Sequence, residues 1–280
     1  MAAALVVAVL VAGTLAARPA DAAGTVRDRA FHSRALEGTL HFSIFLPAGY
    51  AQSTRRYPVV YFLHGLPATP SSYRSGWVAR VGDSARRNGR DVIVVGVQGA
   101  RTGDSDPEWH DWGPGRNWET ATARDLVRYV DGHYRTLPMR RARALIGVSA
   151  GGYGAAIIGV HHPATFAVIE SWSGYFHPTT PDGSQPLAVG DAAADARASL
   201  HTYVASLRQT WQRVGATLLR FYVGSQDQFR PENEQFDREL TADRVPHIFR
   251  EYPGGHSESL WDAHEDSWVG AAVRFLEPAT

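Results

Sequence analysis

The chain has 280 residues, 44% of them hydrophobic, which is enough for the core of one α/β unit. Its 28 basic and 28 acidic residues balance, so no electrostatic footprint for nucleic acid or an anionic membrane is present. There is no cysteine, which excludes thiolate catalysis, Cys-held zinc and disulfide staples, and every basic residue is Arg.

Residues Ala2–Ala17 are almost wholly apolar and small, and Ala20-Asp21-Ala22 offers a small-x-small site before Ala23. This predicts a secretory signal peptide over 1–22, cleaved after Ala22, and an exported catalytic domain over 23–280. The apolar run is shorter than the ~20 residues of a bilayer span, and no later stretch of the mature chain is long and apolar enough. No Lys or Arg precedes the apolar core. The first strand expected is 39–46, then 57–63, a helix at about 76–87 and a strand at 91–97. A long loop over 98–116 carries Trp109, His110, Asp111 and Trp112, and a helix follows at 118–134. Strand 143–148, helix 150–161 and strand 166–171 come next, then a Pro- and Gly-bearing loop over 176–191. Helix 196–213, strand 217–223, helix 231–242, strand 246–252 and helix 260–276 complete the chain. Strands alternating with helices imply an α/β fold with a mostly parallel central sheet and helices on both faces. A site in such a fold belongs at the carboxyl ends of the strands.

Gly147-Val148-Ser149-Ala150-Gly151 lies between an apolar strand run and a small-residue helix run. That is the form of a nucleophile elbow, a strained turn that lifts a serine hydroxyl above the sheet edge. An activated serine needs a histidine base held by an acid, in the chain order Ser, Asp or Glu, His. Asp227 follows the strong β-former run Thr217–Val223, and His256 follows the next strand after Pro253-Gly254-Gly255. Rival acids are Asp191, Asp195, Glu232 and Glu234. Rival bases are His247, inside a strand pattern, and His264, in a helix. The oxyanion needs two backbone N–H donors. Ala150, after the serine, supplies one; Leu66, after His64-Gly65 at the end of strand 57–63, supplies the other.

The segments YPVVYFLHG (57–65), NWETATARDLVRYVDGHYR (117–135), ALIGVSAGGYGA (144–155), FYVGSQDQF (221–229) and YPGGHSESLW (252–261) spread over most of the mature chain. They resemble the putative-esterase family of α/β hydrolases, with the antigen 85 mycolyltransferases, feruloyl and acetylxylan esterases, enterochelin esterases and S-formylglutathione hydrolase. Trp118-Glu119-Thr120 is the most family-specific piece. The resemblance implies Ser149, Asp227 and His256 as catalytic triad and Leu66 and Ala150 as oxyanion donors. The segment Asp104–Arg116 is shorter than its mycolyltransferase counterpart, and those enzymes usually carry Glu as the acid.

The leading expectation is a secreted serine esterase acting through an acyl-enzyme on Ser149. One alternative is an acyltransferase of the antigen 85 kind, moving an acyl group to a sugar or glycerol hydroxyl. Another is a non-catalytic binding protein on the same fold. The expected partner is a small-molecule or polysaccharide-linked ester, with a short or aromatic acyl group ahead of a long lipid because no extended apolar lid segment is visible. Trp112, Trp172 and Trp261 are candidate substrate-binding aromatics. No cofactor and no metal is expected: His161-His162 points two rings apart, no HExxH is present, and no lysine could serve a phosphate loop.

Overall fold

A computed structural model describes residues 23–104 and 108–280. The expected signal peptide lies outside the described residues. Eight strands form one sheet: β1 (Thr25–Ser33), β2 (Gly38–Leu46), β3 (Val59–Leu63), β4 (Ile93–Val97), β5 (Arg143–Val148), β6 (Val168–Trp172), β7 (Leu218–Gly224) and β8 (Ile248–Tyr252). Their order is β1-β2-β4-β3-β5-β6-β7-β8, with β1–β2 and β2–β4 antiparallel and every later pairing parallel.

The strands β3, β4 and β5 are buried on both faces, so they read as continuous apolar runs. Alternate residues still serve different layers. Tyr61, Val95 and Leu145 join the core under one face, while Val60, Phe62, Val94 and Ile146 join the other. The second layer is closed by α1 (Trp77–Arg87) and α8 (Glu258–Phe275), through Val78, Val81, Trp268 and Val273. The first is closed by α4 (Ala150–His161), α6 (Val204–Val214), α7 (Arg230–Ala242) and a helical rod. That rod runs α2 (Trp118–Thr120), a π-helical stretch Ala121–Leu126 and α3 (Val127–His133).

Two expectations need correcting. Strand β1 is not among the expected elements, because TVRDRAFHS lies at the sheet edge, mostly exposed, and shows no apolar alternation. The single helix expected over 196–213 is broken. Helix α5 (Ala192–Ala198) starts at Asp191, whose carboxylate accepts the N–H groups of Ala193 and Ala194. Ser199 is extended, a 3₁₀ turn covers Leu200–Tyr203, and α6 begins at Val204. The Phe176 carbonyl accepts the Leu200 N–H at 2.7 Å, so the break ties this segment to the loop after β6.

Candidate active site

The turn from β5 into α4 is tight enough to exclude side chains from its flanks. A Cβ at Gly147 would stand 2.0 Å from the Gly151 carbonyl oxygen, and one at Gly151 would stand 2.1 Å from that of Leu63. Ser149 between them adopts φ 56° and ψ −124°, a strained conformation for a residue with a side chain. Its N–H donates to the Trp172 carbonyl at 2.8 Å, and its carbonyl accepts from Gly152 and Tyr153 as α4 starts. The elbow is thus anchored to β6 on one side and to its own helix on the other.

Asp227 follows β7 in a turn closed by its N–H on the Gly224 carbonyl at 3.1 Å. Its carboxylate is fully buried; Oδ1 accepts the Phe229 N–H at 3.0 Å, and Oδ2 lies 3.0 Å from Nδ1 of His256. His256 follows β8, on a loop whose Gly254 carbonyl accepts the Gln226 N–H at 2.8 Å. Its Nε2 lies 2.9 Å from Ser149 Oγ. A proton on Nδ1 facing the carboxylate leaves Nε2 as the acceptor for the serine hydroxyl. The ring is gripped edge-on by Phe229 at 5.2 Å and Trp261 at 5.3 Å, with interplanar angles of 78° and 90°.

The rivals are engaged elsewhere. Asp191 caps α5, Asp195 accepts the Val189 N–H, and Glu234 pairs with Arg230. Glu232 accepts the backbone N–H groups of Phe176 and His177. His247 pairs with Asp237 and stacks on Phe221, while His264 stacks on Tyr252 and Trp268.

The loop after β3 runs against the serine: a Cβ on Gly65 would stand 2.9 Å from Ser149 Cβ and 3.5 Å from its Oγ. Among the described residues no hydrogen bond uses the N–H of Leu66 or Ala150. His64 Nδ1 donates to the Gly65 carbonyl at 2.9 Å, which orients the peptide group carrying the Leu66 N–H. Burial pushes the His64 imidazole down to about 4, overriding that bond, so the ring is neutral at physiological pH. It packs on Trp109 at 5.1 Å, and Trp109 in turn lies against Gly154 of α4. The sequence reading used His64 only as a turn marker; nothing in the linear pattern shows which way its ring faces.

The three candidate substrate aromatics separate. Trp261 stands beside His256, with its indole N–H donated to Ser173 Oγ at 3.0 Å. Trp172 needs correcting: it is fully buried in the layer under α1 and α8, packed on Phe62, Trp77 and Trp268, with its N–H on Glu170. Neighbours on a strand face opposite layers, and on β6 Val168 and Trp172 point into this core while Ile169 joins the other. Trp112 is 36% exposed, and its ring contacts include His110 and Arg116. Phe229, at the base, carried no sequence signal.

The family-specific Trp118-Glu119-Thr120 serves the frame. Burial alone would raise the Glu119 carboxyl, but hydrogen bonds from His161 and His162 at the end of α4 outweigh it and hold the group at about 2.

Residues 33–264 match the family described as Putative esterase. Esterase Rv1288 of Mycobacterium tuberculosis is 32% identical over 145 residues, 51% of this chain and 31% of that protein. The match therefore spans about a third of the length of that curated relative. Among solved structures, a ferulic acid esterase superposes with TM-score 0.74 at 24% identity, covering 90% of this chain and 99% of the other. FphF, a fluorophosphonate-binding serine hydrolase of Staphylococcus aureus, gives 0.72 at 17% identity, with 90% and 99% covered. An S-formylglutathione hydrolase from Agrobacterium tumefaciens gives 0.71 at 17% identity, with 92% and 99% covered. At these identities the structural likeness speaks for the α/β-hydrolase fold.

Proposed function

The chain belongs to the Putative esterase family, and on that premise we propose that it is an exported serine esterase that hydrolyses a carboxylic ester through an acyl-enzyme on Ser149. The observation that carries this reading is the continuous hydrogen-bonded line from buried Asp227 through His256 to an elbow serine. Ser149 Oγ attacks the acyl carbon as its proton passes to His256 Nε2, and Asp227 orients the ring and stabilises the imidazolium. The N–H groups of Leu66 and Ala150 receive the developing oxyanion. The imidazolium then protonates the departing alkoxide. A water takes the place of the alcohol, gives its proton to His256 and attacks the acyl carbon, freeing the acid and regenerating Ser149.

The reading of the substrate class rests on the aromatic rings beside the base. Phe229 and Trp261 flank the base, which favours a short or aromatic acyl group over a long lipid chain. Several structural neighbours are esterases of ferulic acid, in keeping with that class. Among the described residues no helix is long and apolar enough to cross a membrane. Export rests on the apolar run and small-x-small site before Ala23, so protein recovered from a culture medium should begin at Ala23.

The test is turnover of p-nitrophenyl acetate, butyrate and palmitate and of methyl ferulate, with and without trehalose or glycerol. The expected result is faster release from the short and aromatic esters than from palmitate, with free acid as product in every case. Acylated trehalose or glycerol as the main product would replace hydrolysis by transfer. Absence of both turnover and phosphonate labelling would leave a binding protein.

A further inference from the structure

Away from the proposed triad, three side chains distant in sequence converge. His177 lies in the loop after β6, His201 in the 3₁₀ turn between α5 and α6, and Glu232 in the first turn of α7. Their donor atoms all lie within 4.8 Å of one another. His177 Nδ1 is 2.7 Å from Glu232 Oε1, and His201 Nε2 is 3.8 Å from the same oxygen. The other nitrogen of His201, Nδ1, is 2.5 Å from the Glu239 carboxylate. That outer carboxylate fixes the ring as metal-binding histidines are usually fixed, with a proton on the far nitrogen and a lone pair facing the site. Glu232 and Glu239 face His201 from its two sides and raise its imidazole above the ordinary 6.5 against the effect of burial, so the cluster draws positive charge to the Nε2 side, as a proton or as a metal ion in its place.

The rest of the cluster suits an ion. Backbone N–H groups of Phe176 and His177 anchor the Glu232 carboxylate, so it is already oriented. Side-chain exposures of 33% for His177, 20% for His201 and 13% for Glu232 leave a way in from solvent. Two neutral imidazoles and one carboxylate match zinc-class ions better than calcium or magnesium, which take oxygen ligands. Ligands at about 2.0–2.1 Å around a tetrahedral ion stand roughly 3.3 Å apart. Side-chain adjustments of about an ångström therefore close the set.

We propose that His177, His201 and Glu232 form a binding site for a divalent transition-metal ion of the zinc class, with solvent completing the coordination. The ion joins the loop after β6, the 3₁₀ turn and the start of α7, the helix that follows the turn carrying Asp227. No spacing motif marks it, because each ligand comes from a different element; the expectation of no metal rested on linear spacing alone.

The test uses the full chain, stripped with EDTA and dialysed. Titration calorimetry with ZnCl2 at pH 7.5 should show one ion per chain, with Kd of about 1 µM or tighter. CoCl2 should give the visible d–d bands of a tetrahedral nitrogen–oxygen site, and saturating Zn2+ should raise Tm by about 5 °C. His177→Ala and His201→Ala should each weaken binding ~100-fold or more, as should Glu232→Gln. His161→Ala, in the separate Glu119 cluster, should leave it unchanged. His177 is a partly exposed loop residue outside the helices and strands, so its variant carries the test if Glu232→Gln fails to fold. Absence of saturable binding to the wild type would mean that a proton alone fills the gap and would overturn the proposal. So would undiminished binding in the His177 and His201 variants.

Discussion

Ser149 combines a strained backbone with a side chain whose only demand on space is one hydroxyl. Ser149→Ala should therefore leave Tm nearly unchanged while lowering kcat by ~10⁴-fold or more, and should abolish labelling by phosphonates. Labelling that persists would place the nucleophile elsewhere. Asp227 is tested by its amide, which keeps the shape but presents a donor to His256 Nδ1. Asp227→Asn should cut kcat by ~10³–10⁴-fold near neutral pH with KM nearly constant, while Asp191→Asn and Glu234→Gln change little. Loss of turnover in the Glu234 variant with retention in the Asp227 variant would reverse the assignment. Gly65 is a third residue-scale test. Gly65→Ala puts a methyl group 2.9 Å from Ser149 Cβ and 3.0 Å from the Val148 carbonyl, so the serine or the loop must move. The expected result is at least a ~10-fold fall in kcat, with a stability loss of about 1–3 kcal/mol by denaturant melts.

At the scale of elements, the site depends on how closely α4 approaches β3 and β5. The relevant contacts are between backbones, at Gly147 against Gly151 and Gly151 against Leu63, so no rotamer change can relieve a substitution there. Gly147→Ala should cost more than about 3 kcal/mol and leave little soluble protein. Near-wild-type yield and Tm would show that the helix can back away. Sequence reading found this unit because the chemistry and the packing both need small residues around Ser149. The break at Ser199 was not legible, since α5 and α6 each have helical composition. What separates them is a tertiary bond, from the Leu200 N–H to the Phe176 carbonyl.

Over the whole molecule, one buried carboxyl makes a contribution to the pH dependence of stability that a single variant isolates. Glu170 lies on the interior strand β6, fully buried and facing Trp172 Nε1, Arg220 and Tyr222. Burial raises it from its ordinary 4.5 to about 8, because desolvation outweighs the Trp172 bond and the Arg220 charge. A group raised on folding stabilises fully below its unfolded value and loses that contribution as pH rises through the folded one. The Glu170 contribution to stability should accordingly decline between about pH 4.5 and 8, by an amount on the order of a few kcal/mol, while buried His64 and His110, lowered to about 4, act in the opposite sense below about pH 6.5. Glu170→Gln, which carries no charge, should match the wild type near pH 5 and exceed it in Tm by pH 8.5. Parallel thermal melts of the two proteins across that range would refute the role of Glu170.

Sequence alone determined the alternating architecture, seven of the strands, and a serine, an aspartate and a histidine each placed just past the end of a strand. These are local properties: apolar runs, turn residues and small-residue flanks leave their mark within a few positions of each other. Tertiary structure decided which side chains meet. It put Trp172 into the core and Trp261 beside His256, turned His64 toward the Gly65 carbonyl, and added the edge strand β1 through pairing with β2. It also brought His177, His201 and Glu232 together from three separate elements. Such meetings depend on the direction of each side chain and the register between distant segments, and neither is written in the order of residues along one of them.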